Sequence, residues 1–212
     1  MKKELQNKRE DYRMGALDER DMHAHPLEQF KRWYTQYESL QQRDANAMTL
    51  ATVDKEGQPK SRIVLLKGLD QGGFEFYTNY ESTKGQELAH NPRAALSFYW
   101  PELERQVRIE GKVQQMTAEE SNAYFNSRPR GSRLGAWISP QSEVIESRED
   151  LEKRREHYEA QFTDAVPRPE NWGGYRLLPH KIEFWQGRPN RLHDRLVYQK
   201  EPEGWVLIRL AP

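Results

Sequence analysis

The segment EFWQGRPNRLHDR, residues 183–195, carries Arg191, His193 and Arg195 at every second position. In an extended chain, alternation turns all three to one face. Three cations on one face repel each other unless an anion sits in front of them. A second basic group stands in SRIVLLK, where Arg62 and Lys67 bracket four apolar residues. Five apart in a regular strand, they point to opposite faces, which suits either two anions or the solvated ends of a core strand. Lys84 follows Ser82 at the head of STKGQELAHNP. Open amides, a hydroxyl and a Lys point charge at a helix start suit a phosphate, although most such starts cap only themselves. In AYFNSRPRGSRLGAW, Tyr124 and Arg128 lie four apart on one helical face, and Ser132 follows a Pro-Arg-Gly break. Phenol, guanidinium and hydroxyl there make a second anion pocket or an ordinary helix end. The uncharged loop SPQSE, with Gln141 and Ser142, suits the edge of a heteroaromatic ring or a simple turn.

Other chemistries find little support. The chain has no Cys, so disulfides, thiolate metal sites and Cys nucleophiles are excluded. Of its six His, only His23 and His25 are close in sequence, and no further ligands stand near them, so no metal site is expected. GxSxG, GxGxxG and GxxxxGK[ST] are all missing, so any phosphate is bound by scattered side chains. Lys+Arg and Asp+Glu both number 33, a balance that argues against nucleic-acid or membrane attraction. The first residues contain no apolar run, so neither a signal peptide nor a membrane span is expected, and the cytoplasm is the default location.

The elements that position these groups follow from periodicity. Residues 1–25 are charged and lack an apolar face, and read as a mobile arm; residues 26–212 read as one domain. Leu27, Phe30, Trp33, Tyr34, Tyr37 and Leu40 recur at helical spacing over 26–42. AMTLATVD, SRIVLLKG and FEFYTN are strands joined by Gly turns, which suggests an antiparallel meander. STKGQELAHNP is a short helix, and RAALSFYW and RQVRIEGKVQQM are strands. Thr117 and Glu120 form a capping box before another helix, and Ser147 opens a charged one. The tail divides into GGYRLLP, KIEFWQG, DRLVYQK and WVLIRL. The expected architecture is mainly β with peripheral helices (α+β), an antiparallel barrel of six to eight strands. Hydrophobic residues make up only 35 %, so some surface is expected to close by oligomerisation or around a ligand.

Taken in order, RIVLLKG, FYTNYESTKG, ERQVRIEGKV, YFNSRPRGSRLGAW, SPQSEVI, WGGYRLLPHKIEFWQG and RLHDR…WVLIRLAP resemble the pyridoxamine/pyridoxine 5′-phosphate oxidase family from about residue 9 to the end. The resemblance implies an FMN-binding split β-barrel and a homodimer with FMN at the interface. It also implies oxidation of pyridoxamine or pyridoxine 5′-phosphate by O2. By the same resemblance Arg62 and Lys84, with Thr78 and Ser82, hold the FMN phosphate, and Val64, Leu65 and Tyr77 lie along the flavin. Gln106, Gln141 and Ser142 reach the cofactor from the partner subunit, and Trp185 and Arg195 complete its site. Lys67, placed by the resemblance in both sets, joins Tyr124, Arg128 and Ser132 on the substrate phosphate. Arg191 and His193 position the pyridine ring and are the candidate catalytic pair. Arg9, Tyr12 and Asp44 match positions near the substrate.

Two phosphates, each carrying roughly −1.5 to −2 by analogy with phosphorylated side chains, explain the number of cations. The chain departs from the family at Thr83, where many members have Arg. Weaker FMN binding is expected there, and Thr83→Arg is expected to lower the FMN dissociation constant. The rival reading is a split-barrel flavin or haem binder with another reductase chemistry, which has no reason to keep YFNSRPR…S and RLH together. A single-stranded nucleic-acid surface of Arg and aromatic residues is a third reading, disfavoured by the zero net charge.

Overall fold

The computed structural model describes residues 6–7, 11–70 and 72–212. Arg9 therefore lies outside the described residues. Helix α1 (Pro26–Glu38) starts with Pro at its first turn, and the His25 side chain caps it by accepting the Leu27 N–H. Its apolar stripe buries Leu27, Phe30, Trp33 and Tyr37. Phe30 inserts edge-on against Phe74 at 4.9 Å and beside Phe98 at 5.0 Å, so this helix fills the sheet's concave side.

Among the described residues, nine strands form one antiparallel sheet: β1 (Ala47–Val53), β2 (Pro59–Leu65), β3 (Gly68–Asp70), β4 (Gly73–Asn79), β5 (Arg93–Trp100), β6 (Arg105–Gln115), β7 (Trp172–Gln186), β8 (Asp194–Glu201) and β9 (Gly204–Leu210). The order is β2-β1-β5-β6-β7-β4-β3, with β8 on β7 and β9 on β8. The predicted meander is not formed, because β4 pairs with β7 rather than with β2. The two predicted strands GGYRLLP and KIEFWQG are one strand, β7. Pro179 has no N–H to give, and a register shift at Glu110/Gly111 sets it opposite Gly111 and leaves His180 unmatched. Along one edge β7 pairs first with β4 and then with β8, while β6 spans its other edge. The sheet therefore divides on that edge. Met48, Leu50, Leu96, Phe98, Val107, Ile109, Ile182, Phe184, Leu196 and Tyr198 form the inner face.

Helices α2 (Thr83–His90), α3 (Ala118–Ser127) and α5 (Arg148–Gln161) stand where caps at Ser82, Thr117 and Ser147 placed them. Helix α4 (Arg130–Ile138) was not expected. Pro129 ends the previous turn and stands at its N-cap, so the Pro-Arg-Gly break is the start of a new helix. The described part of the N-terminal segment is tethered. Asp194 accepts the Leu17 N–H at 3.0 Å, and Arg209 pairs with Glu19 at 2.8 Å.

A buried ion triad was also not read from sequence. Arg176 on β7 pairs with Glu75 on β4 at 2.5 Å and with Glu120 of the α3 capping box at 2.8 Å. The bond from Arg176, and then the Thr117 amide, draw the Glu120 carboxyl down to about 2. A lowered carboxylate pKa adds stability above its unfolded value of about 4.5, and that stability is lost as pH falls towards 2. Acid unfolding is expected in this window, and Glu120→Gln is expected to flatten the profile. An unchanged profile would count against the triad's role.

Candidate functional site

Three clusters hold the predicted residues. In the first, Arg62 on β2 faces inward opposite Leu50. It bonds the Leu50 carbonyl at 3.3 Å, Thr52 Oγ1, and Glu87 Oε2 at 2.8 Å. Lys84 Nζ, in the first turn of α2, meets Ser82 Oγ at 2.9 Å, Gln141 Oε1 at 3.0 Å and Thr78 Oγ1 at 3.2 Å. All three are neutral oxygens. Burial first, and the Arg62 charge second, pull the ammonium pKa down to about 8. The open amides of the first helical turn lie at the same end. Two cations with only one carboxylate between them, at a helix start, fit a phosphate. Gly85 is required here, since a Cβ would come within 2.0 Å of the Tyr80 carbonyl oxygen. Thr83 is exposed on the same turn.

The second cluster adjoins the first. Tyr77 stacks on Tyr124 at 3.8 Å, and Trp172 stacks beside both. The Arg128 guanidinium lies 4.4 Å above the Trp172 ring. Arg128 Nη1 is buried without a partner, a donor ready for an anion. A cavity of about 250 Å³ is lined by Arg128, Ser132, Asn79, Gln141 and Trp172. Burial raises the Tyr124 pKa, so its hydroxyl stays protonated as a donor. Gln141 lines this cavity and also bonds Thr78 and Lys84. Within one chain, Gln141 thus stands beside Lys84, whereas the resemblance implies that it reaches the cofactor from the partner subunit. Ser142 beside it has a left-handed φ of 75° in an exposed turn.

The third cluster lies elsewhere. Register sets Tyr99 opposite Gln106, Gln106 opposite Trp185 and Trp185 opposite Arg195, a single row across four strands. The His193 ring packs 4.6 Å from Trp185, and Tyr12 meets both rings edge-on at 5.6 Å. The expected stripe of Arg191, His193 and Arg195 is not formed. Asn190 and Arg191 take left-handed φ values of 56° and 61° in a turn, and only Arg195 lies in a strand. Arg195 turns to Glu183, at 2.8 and 3.1 Å, which Arg108 also approaches at 3.4 Å.

His193 Nδ1 accepts the Arg188 N–H at 3.1 Å, which assigns the proton of the neutral ring to Nε2. Burial, then the charge of Arg191, lower its pKa and keep it neutral. A ring held in this way donates from Nε2 and has no free lone pair for taking a proton.

Two predicted residues stand apart. Lys67 is exposed and lines a groove of about 250 Å³ with Phe30, Lys31 and Tyr34, away from Arg128 and Ser132. Asp44 is exposed in a left-handed turn before β1. His23 and His25 bond within the α1 entry, and among the described residues no group of three or more His, Cys, Asp or Glu is placed to hold a metal.

Within one chain the first and third clusters lie at opposite ends of β7. Thr78 pairs with Gly173 and Gln106 with Trp185, separated by about 40 Å of strand at ~3.3 Å per residue. Arg62 and Val64 face inward with Leu50 and Met48, whereas Leu65 shares the outer face with Gln106, Trp185 and Arg195. That outer face exposes Ile63 at 64 %, Tyr99 at 56 % and Leu65 at 38 %. It also carries a groove of about 600 Å³ lined by Thr49, Ala51, Ala95, Ser97 and Arg108. Sequence reasoning missed this apolar patch, because alternate exposed residues in short strands look like ordinary surface.

Comparison with known proteins agrees with this geometry. Residues 36–162 match the family model described as pyridoxamine 5′-phosphate oxidase. Residues 172–212 match the pyridoxine 5′-phosphate oxidase C-terminal dimerisation region. The chain is 58 % identical over 205 residues to pyridoxine/pyridoxamine 5′-phosphate oxidase of Ralstonia pickettii (strain 12J), covering 96 % of this chain and 97 % of that one. It is 57 % identical over 211 residues to the Burkholderia thailandensis protein of the same name, covering 98 % and 99 %. Among solved structures it is similar to PhzG from Burkholderia lata 383, in complex with tetrahydrophenazine-1-carboxylic acid. The TM-score is 0.87 at 31 % identity, over 93 % of this chain and 98 % of that one. A pyridoxamine 5′-phosphate oxidase-related, FMN binding protein of Nostoc punctiforme shares the fold, with a TM-score of 0.72 at 18 % identity over 90 % of this chain and all of that one. The split antiparallel sheet, the adjoining anion pockets and these matches agree: the chain belongs to the pyridoxamine 5′-phosphate oxidase family of oxidoreductases.

Proposed function

We propose that the protein oxidises pyridoxamine 5′-phosphate and pyridoxine 5′-phosphate to pyridoxal 5′-phosphate. O2 is the acceptor, hydrogen peroxide is the by-product, and the amine also yields ammonia after hydrolysis. The observation that carries this reading is the adjacency of two cationic pockets sharing Gln141, which suits two phosphorylated molecules side by side. FMN is the cofactor, and when bound it supplies the two-electron acceptor that side chains lack.

The chain's own residues bind and orient. Arg62, Lys84, Thr78 and Ser82 hold the cofactor phosphate, and Arg128, Ser132 and Tyr124 hold the substrate phosphate. His193 donates from Nε2 to orient the substrate ring; the single bond to Arg188 fixes that tautomer. Trp185, Gln106 and Arg195 reach the flavin from a second copy, docked through the outer face of β1, β2, β5 and β6. Tyr12 accompanies Trp185 and His193. We further read residues 26–212 as one catalytic domain, in the cytoplasm. No helix among the described residues is long and apolar enough to cross a membrane.

Anaerobic mixing of the FMN-loaded protein with each phosphorylated substrate tests the function. Bleaching of the flavin is expected with both, and no bleaching with either overturns the assignment.

A pH dependence follows from Lys84. With its pKa near 8 in the free protein, the ammonium is charged below that pH, and a bound phosphate raises the pKa further. Once the FMN phosphate is fully ionised, above about pH 7, its affinity is therefore steady up to about pH 8 and falls above it, by up to about tenfold per pH unit until the complex also loses the proton. Riboflavin, which has no phosphate, is expected to show no such slope in fluorescence titrations. Parallel slopes for the two flavins would reject this role of Lys84.

A further inference from the structure

We propose that Thr52 is a positioning residue for cofactor phosphate recognition, acting through Arg62 together with Glu87. The proposal rests on the reading of Arg62 as a ligand of the flavin phosphate. Thr52 lies on the inner face of β1, two residues from Leu50, whose register partner on β2 is Arg62. Glu87 comes from α2, the helix that also carries Lys84. Thr52 and Glu87 are only 2 % and 5 % exposed, an unusual depth for two polar side chains.

Their bonds close a triangle. Thr52 Oγ1 donates to Glu87 Oε2 at 2.5 Å and accepts from Arg62 Nη1. Arg62 Nη2 donates to the same Glu87 oxygen at 2.8 Å, and Nη1 also donates to the Leu50 carbonyl. A guanidinium has five N–H groups in a fixed plane. Three are used here, all on Nη1 and on the side of Nη2 that faces it. The Nε–H and the second Nη2–H remain, and these form the lateral fork that grips two oxygens of one phosphate.

A flexible arginine must lose rotamer freedom to present that fork. The triangle removes this freedom before the ligand arrives, which is preorganisation of the kind that raises affinity without adding a contact. Thr52 is the joint, because its one hydroxyl serves both as donor to the carboxylate and as acceptor from the guanidinium. Glu87 also supplies the counter-charge that lets Arg62 lie half-buried in the free protein.

The experiment compares FMN and riboflavin dissociation constants for the full-length protein by fluorescence titration. Thr52→Val keeps the shape and removes the hydroxyl; it is expected to weaken FMN about tenfold, the scale of one charge-assisted hydrogen bond, and to leave riboflavin within about twofold. Thr52→Ser restores the hydroxyl and is expected to bind both flavins like the parent. In an Arg62→Ala background, Thr52→Val is expected to have no further effect on FMN, because its action passes through Arg62. Equal losses for both flavins, or an undiminished loss without Arg62, would overturn the proposal and leave the cofactor assignment intact. A parent protein that holds FMN no more tightly than riboflavin would instead overturn the phosphate reading itself, and this proposal with it.

Discussion

Replacing Arg195 with alanine is expected to lower the melting temperature of the flavin-free protein by about 6–12 °C, before any cofactor is considered. Glu183 is almost fully buried and holds Arg195 through two bonds, with Arg108 a more distant third partner. Removing one partner of a buried pair costs about 3 kcal/mol, because the other charge stays buried and undercompensated. For a chain of this length each kcal/mol moves the midpoint by about 2–4 °C. The resemblance alone assigns Arg195 to the flavin and implies only a loss of cofactor. Its geometry adds a structural duty, since the same guanidinium also donates to the Ala211 carbonyl at 3.0 Å and ties the C-terminus to β8. Arg191→Ala, on an exposed left-handed turn, is the contrasting variant and is expected to leave the midpoint unchanged. Glu183→Gln in the Arg195→Ala background is expected to recover part of the loss, since it removes the stranded charge. Thermal unfolding of the apoprotein measures all three, and an unshifted Arg195→Ala midpoint would reject the account.

That dual duty shows which parts of the molecule are legible in a sequence. Caps at Ser82, Thr117 and Ser147 located three helix starts, because a cap is a local bond between near neighbours. Alternation marks β1, β5, β6 and β9, because burial on one face writes a period of two, whereas β8 shows as the short apolar run Leu196-Val197-Tyr198. The pairing of β4 with β7 is not written in either segment, because it joins strands far apart in sequence along the edge of β7 that β6 does not occupy. Pro179 read as a boundary because proline cannot donate to a ladder; the bulge that tolerates it depends on Gly111, far away in sequence. The Arg191–Arg195 stripe failed for a related reason. Periodicity assumes an extended backbone, whereas Pro189 and two left-handed residues, neither of them a glycine, make a turn. Residue types alone raised Lys84 and Arg128 as anion ligands. They also raised Gln141 in a hydrogen-bonding loop, but only the folded chain shows it bonded to Lys84 in the same subunit. Thr52 and Glu87 were invisible, since a buried threonine in a strand is the commonest of observations until its hydroxyl is seen to join two charges.

Arg128→Ala is expected to lower kcat/KM for pyridoxamine 5′-phosphate about a hundredfold, nearly all of it through KM. The guanidinium lies over the Trp172 ring, 4.4 Å from its centroid, and keeps a buried, unpartnered Nη1 at the edge of the cavity. A hydrogen bond to a charged group contributes about 1.5–3 kcal/mol, and the upper part of that range corresponds to a hundredfold. The phosphate does not react, so its contacts are equal in ground and transition states, and their loss raises KM while sparing kcat. Arg128→Lys is expected to recover only part of the loss, because an ammonium cannot offer a planar fork. Pyridoxamine without its phosphate should be turned over equally by both variants and the parent, and the FMN dissociation constant should stay within about twofold. An unchanged KM, or the same penalty on the unphosphorylated substrate, would refute the assignment. The stability readout separates this residue from Arg195. Removing a buried donor that has no partner relieves a desolvation cost, so the loss of stacking on Trp172 is partly offset and the melting temperature should move little. A large drop would mean that Arg128 holds the α3–α4 junction rather than the substrate.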